Sequence, residues 1–242
     1  MYNPKNKIVI TGGSGRFGSI LKKNNKSKKI FFPKKENLNI LSTNSIKNYL
    51  IKLRPKIVIH LAGLSRPMDI HKKKISKSID LNIIGTANIV KVCSALKIKL
   101  VYFSTNYVYP CKKGNYSEKS QLLPVNNYAW SKLGGEASVQ MYSKSLILRA
   151  CMTEKPFVHK KAFVNVKSNF IFHEDMAKII FRLINHKGII NVGGKISSIY
   201  SFAKKNNTNV EKIFWNRKTV NFPKNPSMNL GKLNKIISKK IR

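Results

Sequence analysis

Acidic residues are scarce in this chain of 242 residues. Nine Asp and Glu stand against 47 Lys and Arg, which gives a formal net charge of +38 at pH 7. Such an excess of cations attracts phosphates and other anions, nucleic acids included. Seven of the basic residues are Arg and the other 40 are Lys, spread along the whole chain without an RNP-like aromatic box or zinc-finger spacing. We therefore expect a basic, solvated surface that favours anionic small molecules, with no specific nucleic-acid partner.

Cysteine is equally scarce, and long apolar runs are absent. Cys93, Cys111 and Cys151 form no C-x-x-C pair and leave one thiol over under any pairing, which predicts buried thiols in a reducing, cytoplasmic setting. No stretch approaches the roughly 18 apolar residues of a bilayer span, and residues 1–6 lack the shape of a signal peptide. We expect no membrane partner, no disulfide framework and no metal site.

The sequence does contain short apolar segments that alternate with segments of helical spacing. Hydrophobic residues make up 42% of the chain, enough for a buried core. The apolar segments, which predict strands, are Lys7–Thr11, Lys29–Phe32, Lys56–Leu61, Lys99–Ser104, Ser145–Leu148 and Gly188–Val192. The predicted helices are Asn44–Leu53, Ile83–Leu96, Tyr128–Ser143 and, approximately, Asp175–Ile184. This alternation predicts an α/β fold with a Rossmann-type, doubly wound parallel sheet.

A glycine-rich turn follows the first predicted strand. The segment Thr11–Gly18 reads T-G-G-S-G-R-F-G, with glycines at the first, fourth and seventh positions of G-x-x-G-x-x-G. Gly12 and Gly15 allow the backbone to turn sharply and approach a pyrophosphate, and Gly18 allows the next helix to pack on the strand. The helix N-terminus adds oriented N–H groups. The motif and its position predict a dinucleotide-binding turn.

The end of the second predicted strand bears on which dinucleotide is bound. NAD-binding proteins place an acidic residue there to hold the ribose hydroxyls. Here the segment 32–36 reads F-P-K-K-E, so the first acid comes late, and Lys34 with Arg16 could meet a 2′-phosphate. We favour NADP on this ground and leave NAD open, because lysines are common throughout the chain.

Tyr128 and Lys132 form a Y-x-x-x-K pair at the start of a predicted helix. A spacing of four puts both side chains on one face, one turn apart. A phenol has an unperturbed pKa of ~10, and a neighbouring ammonium would lower it toward the range that is useful for proton transfer. Thr105 follows the fourth strand at the sheet edge where ligands bind, so its hydroxyl is a second candidate contact to a substrate carbonyl.

These motifs stand in the order found in a known family. The matching segments lie at 11–18, 53–63, 80–88, 104–109 and 116–136, with weaker ones at 172–177, 188–194 and 223–233. The chain resembles the extended short-chain dehydrogenase/reductases, and most closely their dTDP-4-dehydrorhamnose reductase branch. The resemblance implies NAD(P)H-dependent reduction of the 4-keto group of a nucleotide-linked deoxysugar. Its product would enter surface polysaccharide biosynthesis.

The resemblance also implies roles for individual residues. Tyr128 would donate the proton, with Lys132 as its partner and Thr105 as ligand of the substrate oxygen. With the residues above, the predicted cofactor contacts are Gly12, Gly15, Arg16, Phe17, Gly18, Lys34, Ala62, Gly63, Asn82, Tyr128 and Lys132. We expect residues 1–150 to form the NAD(P)-binding Rossmann domain, 170–195 to return to it, and 151–242 to form a reduced substrate-binding part.

Two departures from the family keep alternatives open. Asn106 replaces an acid of the branch, and Asn106 with Tyr107 cannot supply the acid and base that 4,6-dehydratases need, so dehydration is not expected. The segment between Arg149 and Phe170 is short, which favours a smaller or different substrate. A nucleotide-sugar 4-epimerase and a non-catalytic NAD(P)-binding regulatory protein therefore remain alternatives. The helices predicted at 83–96 and 128–142 could pair in a homodimer or pack within one chain.

For five further residues we expect structural roles rather than chemistry. His60 ends a strand, where we expect it to pack or hydrogen-bond. Glu118 and Glu136 belong to the nine acids and are expected to form structural ion pairs. Gly134 and Gly135 lie inside a predicted helix, where glycine costs about 1 kcal/mol against alanine. Close packing of another element is the expected reason.

Overall fold

A computed structural model describes residues 6–216 and 223–238 of the chain. The strands are β1 (Ile8–Thr11), β2 (Ile30–Phe31), β3 (Ile57–His60), β4 (Lys99–Thr105), β5 (Ser145–Ala150), β6 (Met152–Thr153), β7 (Lys161–Phe163), β8 (Lys167–Ser168), β9 (Ile171–Phe172), β10 (Gly188–Val192), β11 (Ser197–Ser198) and β12 (Glu211–Ile213). The α-helices are α1 (Arg16–Asn24), α2 (Thr43–Leu53), α3 (Ile70–Lys73), α4 (Ile75–Ile79), α5 (Gly85–Ala95), α6 (Asn127–Gln140), α7 (His173–Leu183), α8 (Ile199–Lys204) and α9 (Gly231–Ile237).

Six parallel strands form the central sheet in the order β10-β5-β4-β3-β1-β2. Successive residues of β1 are buried on opposite faces, because side chains alternate across a strand. Ile8 and Ile10 pack with α1 and α7, whereas Val9 packs with α2 and α5. Helices on both faces of a parallel sheet confirm the predicted Rossmann-type α/β class.

The strand order creates a crevice between β1 and β3. The chain passes from β1 to β2 on one side and then crosses to β3 on the other, so the connections diverge at this point. Ligands of open parallel sheets bind outside the carboxyl ends of the strands at such a reversal. The residues after β1 and β3, from Gly12 and from Leu61, therefore flank the expected binding crevice.

A smaller cluster of apolar residues lies in the C-terminal part. Phe157, Val166, Ile199 and Val210 are buried together beside the paired strands β7 and β12. The intervening helix α7 packs on the main sheet, and β10 joins that sheet by pairing with β5. The boundaries at residues 150, 170 and 195 stay predictions. Of the predicted substrate-binding part, residues 217–222 and 239–242 lie outside the described residues.

The helix expected at 83–96 begins earlier than its spacing indicates. A π-helical turn at Asp80–Ile84 joins α4 to α5 and carries Asn82 inward, where its side chain is buried. Such turns widen a helix locally and occur often at functional sites. A wider turn leaves no sharp trace in a 3.6-residue pattern, which explains why the sequence did not indicate it.

Candidate active site

The space beside the glycine-rich turn stays open, because neither the residues of the turn nor the neighbouring residues place a side chain in it. Gly12 has φ of +72°, and a Cβ there would lie 2.6 Å from the backbone nitrogen of Ala62. The Gly15 amide donates to the Gly12 carbonyl at 3.0 Å, and Gly15 caps α1 without a side-chain hydrogen bond. The first amides of α1 therefore remain for a ligand. This cradle fits the pyrophosphate of a dinucleotide.

A cleft of about 1570 Å³ runs from this turn across the carboxyl edge of the sheet. Most of the predicted site residues line it together: Gly12, Gly15, Arg16, Phe17, Gly18, Gly63, Asn82, Thr105, Tyr128 and Lys132. Ala62 and Lys34 do not line it. Ala62 lies behind the turn, where its amide donates to Thr11 Oγ1 at 3.2 Å, and Lys34 is exposed beyond β2.

Tyr128 and Thr105 meet inside this cleft. Asn126 caps α6 through Oδ1, which accepts from the Ala129 amide at 2.8 Å, and this fixes Tyr128 in the first turn. Burial raises the pKa of the Tyr128 phenol, and a hydrogen bond with Thr105 opposes that rise. His71 packs its ring on Tyr128, with centroids 5.1 Å apart. The arrangement holds a protonated phenol beside a second hydroxyl near neutral pH.

Lys132 lines the same cleft as Tyr128, and its partnership with Tyr128 stays a prediction. Its Nζ lies 4.1 Å from the centre of the Tyr102 ring, and burial lowers its pKa to about 7. Arg66 and Arg16 are cations that lower the pKa of Tyr128. The Y-x-x-x-K spacing places both residues on the cleft, but the aromatic face of Tyr102 attracts the ammonium.

Asn82 connects the elements around the cleft. Its Nδ2 donates to the Leu64 carbonyl at 2.9 Å and to Ser131 Oγ at 2.8 Å, while Oδ1 accepts from the Leu64 amide at 2.7 Å. A Cβ on Gly63 would lie 2.8 Å from the same Oδ1. Asn82 thus fixes the loop after β3 against α6, next to Tyr128.

Sequence reasoning missed a group of charged residues in the cleft. Glu154, one of the nine acids, lies 3.0 Å from Arg66 Nη1 and 3.4 Å from Arg16 Nε. The residues are far apart in sequence and form no motif. The one available signal was the rarity of acids in the chain.

The remaining polar candidates have structural partners. His60 Nδ1 lies 2.8 Å from Thr11 Oγ1, which confirms its expected hydrogen bonding. Asn106 Nδ2 donates to the Pro226 carbonyl at 3.1 Å. The three cysteines are free and buried, as predicted. Among the described residues there is no cluster of His, Cys, Asp and Glu able to hold a metal, and none of their helices has the length and apolarity of a bilayer span.

Comparison with known proteins agrees with this geometry. The family model of the RmlD substrate binding domain matches residues 6–180, most of the chain. The chain belongs to this family. A solved dTDP-4-dehydrorhamnose reductase from Bacillus anthracis, in complex with NADP, superposes with a TM-score of 0.83 at 22% identity and covers 98% of this chain and 93% of its own. The predicted resemblance and the extended short-chain dehydrogenase/reductase scaffold are thereby confirmed.

Curated relatives match a smaller region and carry different names. Methionine adenosyltransferase 2 subunit beta of Pongo abelii is 26% identical over 145 residues, which are 56% of this chain and 43% of the relative. A dTDP-D-glucose 4,6-dehydratase of Dictyostelium discoideum is 34% identical over 185 residues, 61% of this chain and 42% of the relative. The chain thus spans less than half the length of these relatives, and their names describe different activities.

Proposed function

We propose that this protein reduces the 4-keto group of a nucleotide-linked deoxysugar, using NADPH or NADH. The observation that carries the proposal is that Tyr128 and Thr105 line the same cleft as the open glycine turn. Membership of the RmlD substrate binding domain family supports it, as does the shared fold with a dTDP-4-dehydrorhamnose reductase. A role of the product in surface polysaccharide is part of the proposal.

In this mechanism Tyr128 supplies the proton. A bound nicotinamide cofactor supplies the hydride that the carbonyl carbon accepts. Thr105 binds the carbonyl oxygen and orients it toward the phenol, from which the oxygen takes its proton. Because burial keeps Tyr128 protonated, it is ready to act as an acid, and Arg66 and Arg16 stabilise the phenolate that forms. Asn106 lies beside Thr105, but a side-chain amide does not ionise near neutral pH and cannot serve as an acid or a base, so dehydration is not proposed.

NADP remains the preferred cofactor, with NAD as the alternative. Arg16 lies in the first turn of α1 and on the cleft, where a phosphate can reach it. Lys34 is exposed three residues after β2, and dinucleotide-binding folds discriminate the 2′-phosphate close to the end of this strand. The Bacillus anthracis structure was solved with NADP, which supports the same choice.

The test is incubation with a dTDP-linked 4-keto-6-deoxysugar and NADPH, followed at 340 nm. A reductase consumes NADPH in proportion to sugar reduced. A 4-epimerase leaves the absorbance constant, because a 4-keto sugar has no C4 stereocentre to invert. Given a 4-hydroxy nucleotide sugar instead, it would form the C4 epimer and regenerate its cofactor in each cycle. Constant absorbance with a panel of 4-keto nucleotide sugars would overturn the proposed reduction, and interconversion of C4 epimers would favour the epimerase.

A second candidate is a non-catalytic NAD(P)-binding protein that regulates a partner. It is favoured by the relatives named as subunits of methionine adenosyltransferase. It predicts NADPH binding without turnover. Association with another protein would then have to depend on the cofactor, and a Tyr128→Phe variant would retain that association.

A further inference from the structure

Three chain segments meet at Glu154 in the middle of the cleft. Arg66 comes from the loop after β3, and its Nη1 donates to both carboxylate oxygens of Glu154 at 3.0 Å. Arg16 comes from the first turn of α1, with Nε 3.4 Å from Glu154 Oε1 and Nη2 2.6 Å from Ser65 Oγ. Thr153 Oγ1 donates to the other oxygen at 3.3 Å. One carboxylate thus holds two guanidiniums in fixed positions.

The cluster keeps unused hydrogen-bond donors. Among the described residues the hydrogen bonds of Arg66 use Nη1 and that of Arg16 uses Nη2, which leaves Arg66 Nε and Nη2 and Arg16 Nη1 as available donors. The Arg66 side chain is 32% exposed and lines the cleft. A guanidinium offers five N–H groups in a planar fork, so each arginine can bind a second anion while it stays paired with Glu154.

The charge around the cluster also favours an anion. The negative charge of Glu154 neutralises the positive charge of only one of the two arginines that it contacts. Burial lowers the pKa of His159 and of His173, which face Glu154 from the segment after β6 and from α7, so both rings are neutral at pH 7. The charged side chains that line the whole cleft are six cations, Arg16, Arg66, Lys72, Lys132, Lys160 and Lys161, and two acids, Asp69 and Glu154. Asp69 is itself paired with Lys73 at 2.9 Å.

We propose that Arg66 and Arg16, held in place by Glu154, form a binding site for a phosphoryl group inside the cleft. Paired guanidiniums match the oxygens of a phosphoryl group better than point charges do. The inference rests on the proposed function in naming two sources of that group: the cofactor, or the diphosphate of a nucleotide sugar. Glu154 is the positioning residue of this site, since it acts through the two arginines.

The experiment measures dissociation constants by calorimetry for NADPH, NADH and thymidine diphosphate, in the wild type and in Arg66→Gln. Loss of charged hydrogen bonds is expected to weaken binding about 10- to 100-fold. Weaker binding of thymidine diphosphate alone assigns the group to the nucleotide sugar. Weaker binding of NADPH alone assigns it to the cofactor's 2′-phosphate, and weaker binding of NADPH and NADH together assigns it to the pyrophosphate.

Two further variants serve as controls. Lys178→Gln removes a charge of the same sign from an exposed ion pair with Asp175, outside the cleft, and should leave every constant within twofold. Arg66→Lys keeps the charge without the fork and should bind more weakly than wild type, which also covers the case that Arg66→Gln does not fold. Equal constants in wild type and both Arg66 variants, or losses matched by Lys178→Gln, would overturn the site. Intact phosphoryl binding without NADPH oxidation would remove only the proposed reductase activity.

Discussion

At the scale of single residues, Arg66 and Arg16 lower the pKa of Tyr128, whereas the Lys132 amine contacts the ring of Tyr102. The sequence indicated the phenol, the amine and the threonine, because each follows from spacing or from the end of a strand. It could not indicate that Lys132 rests on the ring of Tyr102, since this contact joins α6 to β4. It also could not indicate the cations that lower the pKa of Tyr128, because Arg66, in the loop after β3, and Arg16, in the first turn of α1, lie more than 60 residues away in sequence.

Lys132 should give the enzyme a pH dependence. Burial lowers its pKa to about 7, so the ammonium loses its proton as the pH rises through 7. The pKa of Tyr128 is raised, so the phenol does not titrate near pH 7. If the charged amine is needed, kcat/KM falls about tenfold per pH unit above 7, because this ratio reports groups of the free enzyme. Rates of NADPH oxidation between pH 5.5 and 9.5, the assay range, measure it.

The Lys132→Arg variant is the matched control for that profile. A guanidinium stays charged throughout this range, so the fall above pH 7 should disappear even if the rate is lower overall. A profile of the same form in the variant would show that another group titrates. It would separate Lys132 from the proton-transfer step.

At the scale of elements, α6 organises the site by packing closely on the π-helical turn. A Cβ on Gly135 would overlap the backbone carbonyl of Asn82 and lie 2.8 Å from the Tyr102 hydroxyl. A Cβ on Gly134 would lie 2.8 Å from Ile83 Cδ1, the flexible end of a side chain. The expected close packing is found at both glycines, but the backbone contact concerns only Gly135.

We therefore expect substitution by alanine to destabilise the protein more at Gly135 than at Gly134. Gly135→Ala should lower the free energy of unfolding by about 1–3 kcal/mol, because the overpacked backbone cannot yield. Gly134→Ala should change it by less than about 1 kcal/mol, since Ile83 can move and alanine favours the helix by a similar amount. Urea denaturation of both variants measures the difference. Equal effects would contradict the assigned contact.

The same part of α6 is anchored by a buried ion pair. Glu136 Oε1 lies 2.6 Å from Arg149 Nη2, with both side chains at 2% exposure or less. Arg149 Nη1 also donates to the Tyr109 hydroxyl at 2.9 Å. The sequence predicted a structural ion pair for Glu136 but no partner, because Arg149 lies on β5. Glu118 departs from that prediction, since Oε1 accepts from the Asn191 amide at 3.0 Å.

At the scale of the whole molecule, local patterns predicted the architecture well. Each strand of the main sheet was visible because buried parallel strands are short, apolar and bounded by glycine, proline or polar residues. Features that depend on contacts between distant segments were not visible, above all the Arg16–Glu154–Arg66 cluster and the turn around Asn82. The glycine turn was the exception, since its function is encoded in its own backbone.

Two properties of the whole molecule stay predictions. One is the cytoplasmic location expected from the sequence. A homodimer is compatible with exposed apolar side chains on neighbouring helices, among them Ile75, Ile79 and Trp130, each more than 40% exposed. Neither property bears on the chemistry proposed for the cleft.

The most direct test of the account compares Tyr128→Phe with the wild type for NADPH affinity and for turnover of a 4-keto nucleotide sugar. Turnover should fall by about 10²- to 10⁴-fold, the scale of general acid catalysis, while NADPH binds as before. Tyr142→Phe is the matched control, because its hydroxyl binds the Ile98 carbonyl at 2.9 Å and lies away from the cleft. Unchanged turnover in Tyr128→Phe would contradict the role of the phenol and, with it, the proposed mechanism.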